Sequence, residues 1–257
     1  MKKLVLLSLL LSICPCGAQD THPNRTKKKI LFVCTSIKTV NGKPNGTFLS
    51  ELSVPFMLFR DAGYDIDIVS PQGGAIPVYF KFDTTAFIRR ALESPYYQEK
   101  TKQSLVAEKI KIAEYDAVII PGGYGQFWDI HNDMKISSII SGVYENGGVI
   151  GAVGHGASSL ADVKLSSGEY LVTGKELTCF PTWLEEEAMT EADHGRLLPF
   201  DMEDRLKMRG AHLKPAIRGS RETGRVTDMK NRIVTAATAD GGEYIASSIV
   251  DLLKTQD

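Results

Sequence analysis

The segment VIGAVGHGASSL, residues 149–160, begins as an apolar run and passes through Gly-His-Gly into residues that favour a helix. A strand that enters a helix through a sharp turn is how several enzyme folds present a nucleophile. The residue at the apex of this turn is Gly154, which has no side chain. The segment therefore predicts a strand–turn–helix unit that resembles a catalytic turn but offers no attacking atom at its centre.

Further apolar runs on both sides of this unit alternate with helical patterns. Such alternation favours parallel strands joined by right-handed crossovers, which gives an α/β fold with a doubly wound, mostly parallel sheet and helices on both faces. The predicted strands are 29–35, 65–70, 115–123, 149–153, 176–180 and 232–237, and the predicted helices are 47–64, 134–145, 157–161 and 243–253.

Ligands of doubly wound folds bind at the carboxyl ends of the strands. Three features fall there: the loop after Val33, the PGGYG turn at 121–125 and the GHG turn at 154–156. We expect them to converge on one pocket. Residues 77–110 interrupt the alternation and are rich in aromatic, lysine and glutamine residues, which favours a small cap insertion.

The amino terminus has a different composition from the rest of the chain. Residues 1–18 contain two lysines, an apolar run and small residues near Ala18, which is typical of a secretory signal peptide and predicts export to the periplasm or beyond. Lipoprotein anchoring through Cys14 is disfavoured because bulky Ile13 precedes it. Residues 19–28 are predicted as a flexible leader and 29–257 as the folded domain. Cys34 and Cys179 then remain, either paired or as buried free thiols.

Charge and motif spacing exclude several classes of function. The 30 basic and 31 acidic residues nearly cancel, so we expect no nucleic-acid partner. The apolar run near the amino terminus is too short to span a bilayer comfortably. We expect no cofactor and no metal, because the four histidines after residue 100 lack ligand spacing; they are His131, His155, His194 and His212. A carboxylate–imidazole metal set made by Glu51, His155 and Glu185 stays open.

Five segments in order resemble the ThiJ/PfpI superfamily, the class I glutamine amidotransferase-like fold, and within it the branch of glyoxalase III and a heat-shock chaperone. They are GTFLSELSVPF (46–56), AGYDIDIVSPQGGAIPV (62–78), YDAVIIPGGYGQFWDI (115–130), residues 147–188, and LPFDMEDRLKMRGA (198–211). The charged segment 218–232 departs from the family pattern.

The resemblance implies roles for individual residues. His155 corresponds to the histidine beside the family's nucleophile, Glu185 to the acid that orients it, and Glu51 to the carboxylic acid that bonds the thiolate. Gly154 stands where the family carries its nucleophilic cysteine. Four glycines correspond to the oxyanion hole and ligand-binding turns: Gly122, Gly123, Gly154 and Gly156.

These correspondences predict a protein that resembles glutathione-independent glyoxalase III, of D-lactate dehydratase type, but is inactive because a thiolate is needed for the attack. It would bind a small carbonyl or carboxylate compound as a pseudoenzyme. Two alternatives stay open: an active lyase or hydrolase that uses another group, including Cys34 or Cys179, and a chaperone-like protein that binds protein clients. A homodimer is implied by the resemblance.

Overall fold

The domain is built around a central β-sheet. A computed structural model describes residues 27–79, 85–191, 198–220 and 223–255. Within these ranges the central sheet has six strands in the order β11-β12-β8-β7-β1-β5. Their bounds are β1 Lys29–Val33, β5 Asp65–Val69, β7 Ala117–Ile120, β8 Val149–Val153, β11 Arg225–Asp228 and β12 Ile233–Ala236.

Five of the six strands are parallel, and β11 pairs antiparallel with β12 at the edge. The first strand in the chain, β1, lies between β5 and β7, so the parallel strands follow the order of flavodoxin-like folds. Strands β7, β8 and β12 are buried along their whole length, as expected for strands covered on both faces. The predicted fold class is confirmed.

Helices cover both faces of the sheet. Their bounds are α1 Leu49–Asp61, α2 Ala86–Glu93, α3 Pro95–Lys102, α4 Met134–Glu145, α5 Thr182–Glu191, α6 Met202–Met208 and α7 Gly242–Lys254. Phe56 of α1 and Ile245 of α7 belong to the core on one face, while Ile139 of α4 and Leu206 of α6 belong to the core on the other.

Short strands lie outside the central sheet: β2 Thr39–Val40, β3 Lys43–Pro44, β4 Thr47–Phe48, β6 Val78–Tyr79, β9 Glu176–Leu177 and β10 His212–Leu213. The prediction of a strand over 176–180 was therefore too long, and β9 pairs with β10 instead of joining the sheet. The reason is that both edges of β12 are already taken, by β8 and by β11. The sequence pattern missed β11, which lies within the charged segment.

The predicted cap contains α2 and α3, which pack against the rest of the domain. Tyr97 of α3 is buried and meets the ring of Phe56 in α1 edge-on, with centroids 5.0 Å apart. Ile88 and Ala91 of α2 are buried as well. These two helices therefore extend the core beside α1. Residues 80–84 of the predicted cap lie outside the described ranges.

The predicted signal peptide, 1–18, and leader residues 19–26 also lie outside the described part of the chain. No helix among the described residues combines the length and apolar character needed to cross a bilayer.

Candidate functional site

The turn after β8 is the centre of the candidate site. Gly154 follows β8 directly and begins a 3₁₀ helix, Gly154–Leu160, where an α-helical start at 157 was predicted. Its φ of +55° lies in the left-handed region, which glycine adopts without the strain that a side chain would bring. A Cβ built on Gly154 would lie 2.9 Å from Oε1 and 3.1 Å from Oε2 of Glu51. A side chain at this position would therefore point at that carboxyl group.

Glu51 reaches the turn from the first turn of α1, and its side chain is buried. Its Oε2 accepts a hydrogen bond from the backbone N–H of Gly122, at 2.6 Å. Burial raises the pKa of Glu51 from 4.5 to about 7, although the charge of His155 and the Gly122 N–H both favour the carboxylate. Near neutral pH the group can therefore both take and release a proton.

His155 and Glu185 form a buried pair, with 2.7 Å between Nε2 and Oε2. Glu185 lies in the first turn of α5, where the helix dipole favours a negative charge. Rings on both sides confine the imidazole, with centroids 4.5 Å away for Tyr124 and 4.4 Å away for Phe180. The contact with Glu185 and the two neighbouring rings therefore fix the orientation of the imidazole.

Tyr124 was not singled out from the sequence. Its hydroxyl donates to Oε1 of Glu185 at 2.8 Å, so Glu185 accepts from Tyr124 through one oxygen and pairs with His155 through the other. Burial raises the pKa of the Tyr124 phenol, which keeps the hydroxyl protonated as a donor. The sequence did contain a signal for Tyr124, because this residue directly follows the glycine turn after β7. Strands β7 and β8 are parallel neighbours, so their carboxyl ends lie side by side at one edge of the sheet.

The four glycines predicted for ligand binding divide into two pairs. A Cβ on Gly122 would lie 2.5 Å from Oε2 of Glu51 and 2.8 Å from the backbone N of His155. Gly122 and Gly154 thus border the carboxyl group. A Cβ on Gly123 would lie 2.1 Å from the carbonyl oxygen of Gly46, and one on Gly156 would lie 2.0 Å from that of Ile120. Gly123 and Gly156 are therefore required by close backbone packing.

The two remaining cysteines are free thiols in the structure, and both are buried. Burial raises the pKa of Cys34 to about 12, and burial also raises the pKa of Cys179. A thiol must ionise before it attacks a carbonyl carbon, so burial disfavours both residues as nucleophiles.

Other polar groups near the site show no metal-binding arrangement. Within the described ranges, no three histidine, cysteine, aspartate or glutamate side chains are placed to hold a metal ion together. His131 lies 3.4 Å from the carboxylate of Asp162 and packs on Phe200, while His212 is exposed. His194 lies outside the described residues.

A cavity of about 170 Å³ lies beside Glu185; Glu51, Gly154 and His155 are not among the residues that line it. The apolar lining of the cavity includes Phe127, Phe180 and Phe200, and its polar lining includes Glu185. A cavity of about 150 Å³ can hold a benzene molecule, so this one has room for a small organic compound.

Comparisons with known proteins agree with this architecture. The chain is 28% identical over 248 residues to the glutathione-independent glyoxalase HSP31 of Saccharomyces cerevisiae, which covers 88% of this chain and 98% of that protein. It is 29% identical over 168 residues to the glutathione-independent glyoxalase hsp3101 of Schizosaccharomyces pombe, covering 59% of this chain and 67% of that protein.

Solved structures resemble this chain over most of its length. Rapid Encystment Protein 24 KDa of Francisella tularensis superimposes with a TM-score of 0.76 at 30% identity, covering 88% of this chain and 99% of that one. Glyoxalase III of Candida albicans superimposes with a TM-score of 0.72 at 24% identity over 88% of this chain and 97% of that one, which supports the fold alone.

The sequence profile of the DJ-1/PfpI family matches residues 43–252, which include the glycine turn after β7, the turn after β8, and the residues Glu51, His155 and Glu185. This chain therefore belongs to the DJ-1/PfpI family.

Proposed function

We propose that this protein is a glyoxalase III-like carbonyl-binding protein that holds a small carbonyl compound beside Gly154 without forming a covalent bond to it. The observation that carries the proposal is the composition of the turn after β8. Glu51 faces Gly154, and His155, which is part of the turn, pairs with Glu185; Gly154 itself has no atom that could attack a carbonyl carbon.

The charges around the turn favour a neutral carbonyl compound over a carboxylate. Glu51 and Glu185 are both buried acids that flank His155. An anionic ligand would add another negative charge in a poorly hydrated place, where repulsion between like charges is strong. A neutral carbonyl compound can accept from the imidazole or from a protonated Glu51 without that repulsion.

The missing thiol distinguishes this proposal from the activity named for the yeast relatives. A base and an orienting acid can activate a nucleophile but cannot replace it. Cys34 and Cys179 are buried as neutral thiols and do not supply one. We therefore place the protein among non-covalent binders, with the thiol-dependent lyase reaction as the alternative that the experiments below address.

The test is a titration of ¹⁵N-labelled protein with hydroxyacetone, a small neutral carbonyl compound, followed by amide chemical shifts. We expect saturable shifts of the Gly122, Gly154 and His155 amides and an unchanged intact mass. His155→Gln should weaken binding, whereas His212→Gln, at an exposed histidine, should not. Shifts confined to other parts of the protein, or none at all, would refute the proposal.

A further inference from the structure

The cavity beside Glu185 combines aromatic walls with two carboxyl groups. Its rings belong to Phe127, Phe180 and Phe200, and its carboxyl groups belong to Glu185 and Asp201. The described residues that line it include no lysine, arginine or histidine. Aromatic rings and carboxylates both attract cations, the rings through their electron-rich faces and the carboxylates through charge-assisted hydrogen bonds.

We propose that this cavity binds a small organic ammonium ion, whose ammonium group donates to Asp201 and whose apolar part lies against the phenylalanine rings. The inference goes beyond the proposed function, because neither Glu51 nor Gly154 lines this cavity. The volume of about 170 Å³ suits a compound with a single aromatic ring.

The two carboxyl groups differ in exposure, and this difference sets the orientation of the ligand. Asp201 is exposed, whereas Glu185 is buried. Removing an ammonium group from water is costly, so we expect this group beside Asp201, where it keeps part of its hydration. The apolar part of the ligand then occupies the inner end of the cavity, where the charge of Glu185 adds to the attraction.

Both carboxyl groups are held in place and can still accept hydrogen bonds. Oδ1 of Asp201 accepts from the backbone N–H of Asp204 at 2.8 Å, and Oδ2 accepts from the hydroxyl of Thr182 at 2.9 Å. Each oxygen of Glu185 has one partner, as described above. A carboxylate offers about four lone-pair sites, so both groups have room for a ligand donor. Their fixed positions reduce the entropy that binding would otherwise cost.

The charge of Asp201 is not neutralised by a neighbouring basic side chain. Among the described residues it forms no ion pair with lysine or arginine, and two basic residues of α6 are paired elsewhere. Arg205 pairs with Asp162 at 2.9 Å, and Lys207 pairs with Glu203 at 3.1 Å. A cation is therefore attracted to the exposed end of the cavity, and an anion is repelled.

The experiment compares three probes of similar size by amide shifts of ¹⁵N-labelled protein at pH 7: benzylammonium, benzyl alcohol and benzoate. We expect saturable shifts of the Phe180, Phe200 and Met202 amides. Benzylammonium should bind about tenfold more tightly than benzyl alcohol, and benzoate should bind most weakly, because only the charge of the polar group changes along the series.

Asp201→Asn is the decisive variant, because asparagine caps a helix as well as aspartate does but carries no charge. It should weaken benzylammonium binding about tenfold and leave benzyl alcohol binding unchanged. Asp204→Asn is the matched control, since it removes an exposed charge from the same turn of α6 without lining the cavity. Its affinity for benzylammonium should stay within about twofold of the natural protein.

Equal affinities for benzylammonium and benzyl alcohol would overturn the inference, as would an equal loss of binding in the two variants, no binding, or shifts confined to other parts of the protein. These outcomes leave the proposed function standing, because that function is read at the Gly122 and Gly154 amides with hydroxyacetone. If Asp201→Asn does not fold, Phe200→Leu replaces it. This variant keeps an apolar wall but removes one ring, and should weaken benzylammonium binding at least about threefold more than benzyl alcohol binding.

Discussion

Introducing a thiol at Gly154 is the sharpest test of how this site works. In Gly154→Cys, an L-residue must adopt a φ near +55°, which costs about 1–2 kcal/mol. The new Cβ would lie 2.9 Å from Oε1 of Glu51, so the end of that flexible side chain must move by a few tenths of an ångström. Weakening its hydrogen bond to Gly122 adds about 1 kcal/mol.

The total loss is therefore about 2–3 kcal/mol, which lowers the melting temperature by about 4–12 °C for a domain of this size. A natural domain usually has a larger margin than this, so we expect Gly154→Cys to fold. The new thiol would stand beside His155 and at the start of a 3₁₀ helix, surroundings that favour the thiolate.

The assay is D-lactate formation from methylglyoxal without glutathione, together with thermal unfolding. Gly154→Ala is the matched control, because it carries the same Cβ and the same backbone strain but no sulfur. We expect Gly154→Cys to exceed both Gly154→Ala and the natural protein by about 100-fold or more, since loss of a catalytic nucleophile usually costs at least that much. A folded Gly154→Cys with a reactive thiol and no lactate would refute the reasoning, as would natural protein that matches it.

Three further predictions follow from the buried groups. Because the pKa of Glu51 rises from 4.5 to about 7 on folding, the folded state binds more protons than the unfolded state between these values, and stability falls as pH rises through that window. We therefore expect the difference in free energy of unfolding, Glu51→Gln minus the natural protein, to rise by up to about 3 kcal/mol between pH 4 and pH 8. The measurement is urea unfolding of both proteins across this range, and a difference that stays constant would contradict the raised pKa. Tyr124→Phe removes the 2.8 Å hydrogen bond to Glu185 and should lower the free energy of unfolding by about 1–3 kcal/mol at neutral pH; an unchanged free energy of unfolding would contradict a stabilising role for this bond. Cys34 and Cys179 should resist a thiol reagent in the native protein and react after denaturation; rapid native labelling of either would show an exposed or ionised thiol.

Some of the site could be predicted from the sequence because its parts are local. Helix α4 has its predicted bounds, Met134–Glu145, since apolar spacing and a following glycine turn define it within one segment. The turn after β8 was predicted from a buried-type strand that runs into glycines. The family resemblance brought Glu51, His155 and Glu185 into one proposed site, and the structure places them together.

Residues 149–160 and the alternating pattern around them determined a parallel α/β sheet with a glycine turn at the end of β8, because strand and helix periodicity record which faces of one element are buried. The tertiary structure alone decided that the Glu51 carboxyl fills the side-chain space of Gly154, that Tyr124 holds Glu185, and that β12 pairs with β11 and leaves β9 outside the sheet. These contacts join residues far apart in the chain, and their geometry depends on how separate elements pack and in which register, which no local pattern contains.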